Sequence, residues 1–166
     1  MRQIKKCRPA MEGLETREVL STVAHHGALV HPLTTSQGAL SGSYSTGGGI
    51  PDTGHTYTLD GTGKALGLSG LKVAGTINQS GFVAIPTTTG TLKLTNSHGT
   101  VILNIKADKP ASFAPLPTQY HYTVASGTGS YHGLKSAGML TLALTPGKSP
   151  DPFTSVGSFK MTLKHA

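Results

Sequence analysis

The sequence predicts an all-β chain: a single antiparallel β-barrel of eight strands, with a two-sheet β-sandwich as the alternative. Apolar and polar residues alternate through eight separate stretches, as strands do when one face is buried and the other meets water. Glycine is abundant, and only 13% of residues are charged, a composition suited to many short strands and tight turns rather than to helices or disorder. An ordered pair of matching segments also recurs along the chain, which points to a regular, repeated architecture.

The elements follow in order. "ALSGSY" puts Leu40 and Tyr44 on one face, and "HTYTL" pairs Tyr57 with Leu59. "LKVAGTI" places Leu71 and Val73 together, with an irregularity expected at Gly75. "TLKL" turns Leu92 and Leu94 inward and Lys93 outward, and "TVILNIK" does the same for Val101, Leu103 and Ile105. "QYHYTVA" buries Tyr120, Tyr122 and Val124, and "MLTLALT" buries Leu140, Leu142 and Leu144. "SFKMTLK" closes the series with Phe159, Met161 and Leu163 inward. Eight strands closed on themselves leave no exposed edge, and at that number side chains just fill the interior. The proline-rich breaks "ADKPASFAPLPT" and "TPGKSPDP" read as longer connections rather than domain boundaries.

The matching segments are "GTGKALGL" (Gly61 to Leu68) against "GTGSYHGL" (Gly127 to Leu134), then "GTLKLT" (Gly90 to Thr95) against "GSFKMT" (Gly157 to Thr162). Two ordered matches at nearly equal separation predict two related half-barrels. A solenoid is disfavoured, because such arrays need about three or more repeats. Each copy opens on glycines that read as structural barrel corners: Gly61, Gly63 and Gly67 in the first, Gly127, Gly129, Gly133 and Gly138 in the second. Tyr131 is placed to fold its ring over an end of the core and hydrogen-bond through its hydroxyl.

Charge is unevenly distributed. The formal charge is +7, yet every arginine and glutamate falls in the N-terminal segment, leaving well-spaced lysines over the rest. Lysines on alternating strand positions read as solvated faces. A nucleic-acid surface would cluster arginine with stacking aromatics, so nucleic acid is not the expected partner.

Residues 1–37 differ in kind and are expected to form a flexible, targeting-like segment and linker, with the barrel domain at 38–166. No unbroken apolar stretch of about 7–15 residues marks a standard signal peptide, and nothing approaches 18 apolar residues in a row, so no transmembrane segment is expected. The one cysteine, Cys7, has no internal disulfide partner. His25, His26 and His31 match no defined zinc spacing and have no Cys, Asp or Glu nearby. "LETREVL" (Leu14 to Leu20) resembles the LEPR-XLL motif that opens many large exported proteins of planctomycete bacteria. Leu14, Glu15, Arg17 and Leu20 match it, and Thr16 stands where the motif has proline. The resemblance implies an exported or cell-envelope protein; a cytoplasmic one is the alternative.

Catalytic equipment is sparse. The Gly127 corner lacks the G-x-x-x-x-G-K-[ST] spacing of a phosphate loop and precedes a strand, not a helix. Asp52, Asp60, Asp108 and Asp151 all sit in or beside predicted turns, where Asp serves the backbone. No G-x-S-x-G elbow is present. His121, between Tyr120 and Tyr122, should point to the opposite face, and His132 should be a solvated neighbour of Tyr131. No catalytic residue, metal or cofactor is therefore expected.

"SGTGSYHGLKSAGMLTLAL" with the later "GSFKMTL" resembles the glycine corner and closing strands of the allene oxide cyclase and dirigent barrel superfamily. Gly127, Thr128, Gly129, Tyr131, Gly133 and Gly138 carry the match. The resemblance implies an eight-stranded barrel whose cavity handles apolar substrates with acids, an arginine or a tyrosine. Residues 38–166 contain no Glu and no Arg, which removes most of that equipment. The expected function is thus a non-catalytic exported or surface-associated barrel with a structural or interaction role. The alternative is a barrel that holds a small apolar ligand, with isomerase- or cyclase-like chemistry, in which Tyr57, Tyr120, Tyr122, Tyr131 and His132 would line the site.

Overall fold

The computed structural model describes residues 37–47, 54–80, 87–109, 116–149 and 154–166. The targeting-like segment, Cys7, the histidines at 25, 26 and 31, and Asp52 and Asp151 lie outside these residues.

Eight strands close into one antiparallel barrel, each paired with its neighbours in sequence and β1 with β8. They are β1 (Gly38–Thr46), β2 (His55–Ala65), β3 (Leu68–Ser80), β4 (Thr87–Asn96), β5 (Gly99–Ala107), β6 (Gln119–Gly127), β7 (Ala137–Pro146) and β8 (Val156–His165). The barrel is chosen over the sandwich because the β1–β8 ladder runs without a break from Gly38↔Leu163 to Ser45↔Val156. A single 3₁₀ turn, Gly129–Tyr131, interrupts the β6–β7 connection. No α-helix occurs among the described residues, and none of their helices is long and apolar enough to cross a membrane.

Alternation sets which side chains enter the barrel. Leu40, Leu59, Leu71, Leu92, Leu103, Leu140, Leu142 and Phe159 are almost wholly buried, together with Tyr120 and Tyr122. Eight strands enclose too little room for a large side chain at every inward position, so small and large residues alternate around the wall. The register pairs them directly: Gly42 with Phe159, Tyr44 with Gly157, Gly75 with Leu92, Gly90 with Ile105, and Tyr122 with Gly138.

Gly75 is one of these inward positions, and the ladders on both its sides run through it unbroken. The irregularity expected there lies earlier in β3, where Ser69 and Gly70 together face Lys64 and Gly70 takes φ +63°. A bulge at a hairpin mouth needs a left-handed residue, whereas an inward glycine only leaves out a side chain. A second bulge adds Ala125 to β6 opposite the Ile102–Leu103 step.

The matched segments occupy equivalent places. Gly61–Leu68 runs from β2 through the hairpin into β3, and Gly127–Leu134 from β6 toward β7; Gly90–Thr95 lies on β4 and Gly157–Thr162 on β8. Each pair is four strands apart, half-way round the barrel. Gly67 and Gly133, equivalent turn positions, have φ of +73° and +76°. Gly61, Gly63 and Gly138 lie inside strands, Gly127 ends β6 and Gly129 begins the 3₁₀ turn.

Candidate functional site

The strand order sorts the connections by end. The hairpins after β2 and β4 and the β6–β7 connection share one end with Gln37 and Ala166; the longer connections after β1, β3, β5 and β7 share the other. Tyr57 belongs to the long-connection end. Its ring centroid is 6.3 Å from that of Tyr44 with the planes tilted by 45°. Tyr120 enters from β6 near Tyr57, and Tyr122 lies one inward position deeper. Tyr131 stands at the opposite end, half-buried against the core, where its hydroxyl donates to Asn96 Oδ1 at 2.8 Å. His132 is exposed beside it, and its backbone N–H closes the 3₁₀ turn on Gly129 O. The structure therefore brings Tyr57 and Tyr120 together, with Tyr44 added, and sets Tyr131 and His132 apart from them.

The inner tyrosines are poor proton donors. Burial pushes the Tyr120 phenol well up, and the neighbouring Tyr57 adds to it. Tyr57 is raised by burial and by Tyr44. Burial also raises Tyr122, with the Ser136 side chain acting weakly in the other direction. Ser136 approaches that phenol without completing a hydrogen bond: Tyr122 Oη, Tyr120 Oη and Thr88 Oγ1 are buried with no partner. Gln79 and Thr88, directly opposite one another in the β3–β4 ladder, and Thr46 at the end of β1 are buried polar residues of the inner wall near the long connections.

Two contacts outside the core could be mistaken for catalytic pairs. Ser136 Oγ lies 3.0 Å from His165 Nδ1, but that nitrogen is also 3.1 Å from the Ala137 carbonyl oxygen. A carbonyl only accepts, so Nδ1 carries the proton and Ser136 has no base to activate it. His121 points outward, as its place between two inward tyrosines requires, and its Nε2–H donates to Asp108 Oδ1 at 3.0 Å. The pair is open to solvent, with the imidazole 62% exposed. Among the described residues no group of three His, Cys, Asp or Glu is placed to hold a metal ion.

A groove of about 540 Å³ lies on the outer wall, not inside. It crosses β3 to β6 between two rungs of outward side chains. Asn78, Thr89, Lys106 and His121 form the first rung, and Thr91, Asn104 and Thr123 the second. Its floor is the backbone at Gly90 and Ile105, whose inward row separates the rungs. At Gly90 a Cβ would stand 3.1 Å from Ile105 Cγ1 and closer still to the Thr76 carbonyl, so the inner face there has no room for a side chain. In the sequence Lys106 and His121 read as outward and solvated, and nothing there singles out the other five outward residues. The signal that marks them is a set of amide, hydroxyl and basic side chains without a carboxylate.

Fold and surface together define a closed β-barrel with a polar groove on its outer wall. No protein-family model, no curated protein and no solved structure matches the chain.

Proposed function

We propose that this chain is a non-catalytic, exported or surface-associated β-barrel with an interaction role, and that it meets its partner on the outer wall of β3 to β6. One contrast carries the reading. The buried part of the inner wall is mainly apolar and carries no Asp, Glu, His, Lys or Arg among its described side chains, while the groove outside offers hydrogen-bonding groups from seven residues. The LEPR-XLL-like segment supports the exported location. The test is fractionation of cells making the full chain, native or Asn104→Tyr, which fills the groove with a strand-favouring side chain. The native protein should sediment with the envelope fraction and the variant should be released, at unchanged thermal stability. Equal envelope association of both overturns the groove as the contact surface.

A second reading, a small apolar ligand held inside the barrel, is favoured by the unpartnered hydroxyls of Tyr120 and Thr88. Buried hydroxyls are normally hydrogen-bonded, and a ligand carbonyl or hydroxyl would serve both. Titration with 1-anilinonaphthalene-8-sulfonate separates the readings: saturable binding that Tyr122→Ala alters favours the ligand barrel, and no saturable binding removes it.

A further inference from the structure

We infer that the outer groove is a binding site for an extended acidic polysaccharide, a chain of sugars bearing carboxylate groups. The inference rests on the interaction reading above and names its partner.

Shape is the first argument. The rungs are two residues apart along each strand, about 7 Å; the first spans four strands, roughly 14 Å, and the second three, roughly 10 Å. A trough that narrow and that long takes a single extended chain lying across the strands; a nucleic-acid duplex or a folded domain could only sit over its rim. The floor between the rungs is the backbone at Gly90 and Ile105, whose own side-chain positions face inward.

The chemistry of the walls is the second. Asn and Thr side chains both donate and accept hydrogen bonds, as sugar hydroxyls do. Asn78 is already oriented: Thr56 Oγ1 donates to its Oδ1 at 2.9 Å, which turns Nδ2 into a fixed donor. Asn104 and Thr91, directly opposed in the β4–β5 ladder, form the facing wall. Lys106, directly opposed to His121 in the β5–β6 ladder, places a positive charge at one end of the trough. No carboxylate lines it, and Asp108 is turned to His121 at its margin.

The surrounding field is the third. The described residues hold nine lysines against Asp60 and Asp108, with no Arg or Glu, so the barrel attracts an acidic polymer. Other extended partners fit less well. Single-stranded nucleic acid binds chiefly by stacking on Phe, Tyr or Trp rings, and none of these lines the groove. A peptide that adds as a strand needs a free sheet edge, which a closed barrel lacks.

The experiment titrates ¹⁵N-labelled full-length protein with galacturonic acid hexamer, its fully methyl-esterified counterpart, poly-L-glutamate and single-stranded DNA. The hexamer is expected to bind saturably and to shift amide resonances within Thr89–Thr91, Asn104–Lys106 and His121–Thr123. Loss of the charges by esterification, Lys106→Gln or Asn104→Ala should each weaken binding about tenfold, with the fold retained because these positions face solvent. The inference is overturned if the hexamer moves no groove resonance, or if polyglutamate or DNA binds as tightly. Should Asn104→Tyr release the protein from the envelope while the hexamer does not bind, the interaction reading stands and only its partner is wrong. Should Asn104→Tyr leave envelope association unchanged, both fail.

Discussion

Tyr122 lies directly opposite Gly138 in the β6–β7 ladder, and its ring fills the space a side chain there would take: a Cβ on Gly138 would stand 3.0 Å from both Cε1 and Oη. Tyr44 and Gly157 repeat the relationship across β1 and β8, at 2.6 Å. The barrel wall is thus built from matched pairs, a ring on one strand and its absence on the next.

Gly138→Ala should therefore be destabilising although alanine suits a strand better than glycine. The new methyl meets the Lys164 carbonyl as well as the ring, and backbone cannot rotate away. Overpacking of this kind costs about 1–3 kcal/mol, so thermal unfolding should come roughly 2–12 °C earlier. The variant Gly138→Ala/Tyr122→Leu should recover part of the loss, and no recovery would show that the ring is not the obstacle.

Asn96 ties the hairpin end together. Its Nδ2 donates to Ser69 O at 3.3 Å, and its Oδ1 accepts from His98 N at 2.9 Å and from Tyr131 Oη at 2.8 Å. Tyr131 is accordingly a fastener between the β6–β7 connection and the β4–β5 hairpin. Tyr131→Phe should cost about 1 kcal/mol in urea unfolding, and Asn96→Ala about 2 or more because three partners lose it together. The double variant should cost less than the sum, since the two share one bond. Strict additivity would mean that they act independently.

Leu66 has φ +55° and is followed by Gly67 at +73°, the positive pair a two-residue I′ hairpin turn demands. Leucine is unusual there, and it is kept because its side chain is buried, 4% exposed, over the hairpin end of the core. Leu66→Ala loses that burial and keeps the backbone strain; Leu66→Gly loses the same burial and relieves the strain. The glycine variant should thus be the more stable of the two by about 1 kcal/mol, the reverse of the usual order in a strand. Calorimetry of both variants gives the comparison, and alanine proving the more stable would remove the strain argument.

Much of the barrel was legible because alternation is a local property: every inward residue named from the eight stretches, from Leu40 to Leu163, faces the core. Closure was legible indirectly, through strand number and the matched segments. The turn at Leu66–Gly67 was not, since burial overrides the turn preference of its first residue. Nor was the separation of the tyrosines: Tyr131 follows Tyr122 closely in sequence, but β6 carries it to the opposite end from Tyr57. The groove depends on which outward residues become neighbours across four strands, Asn78 to His121, and register of that kind is not written in any one of them.

Tyr120 links stability to pH and to what the barrel holds. Its hydroxyl is buried without a partner and its ionisation is strongly opposed by burial. The folded protein therefore keeps this proton at a pH where the unfolded chain has lost it. Stability contributed by the group is complete below about pH 10 and falls as pH rises beyond that, by up to roughly 1.4 kcal/mol per unit. Tyr57 and Tyr122, also raised, act in the same direction. Tyr120→Phe should flatten the alkaline decline measured by urea unfolding between pH 9 and 12. At neutral pH it should leave stability unchanged or raise it by about 1 kcal/mol, because an unpaired buried hydroxyl is lost. A loss of stability at neutral pH would mean that the hydroxyl is bonded in solution, and would move the balance toward a ligand or water held within the barrel.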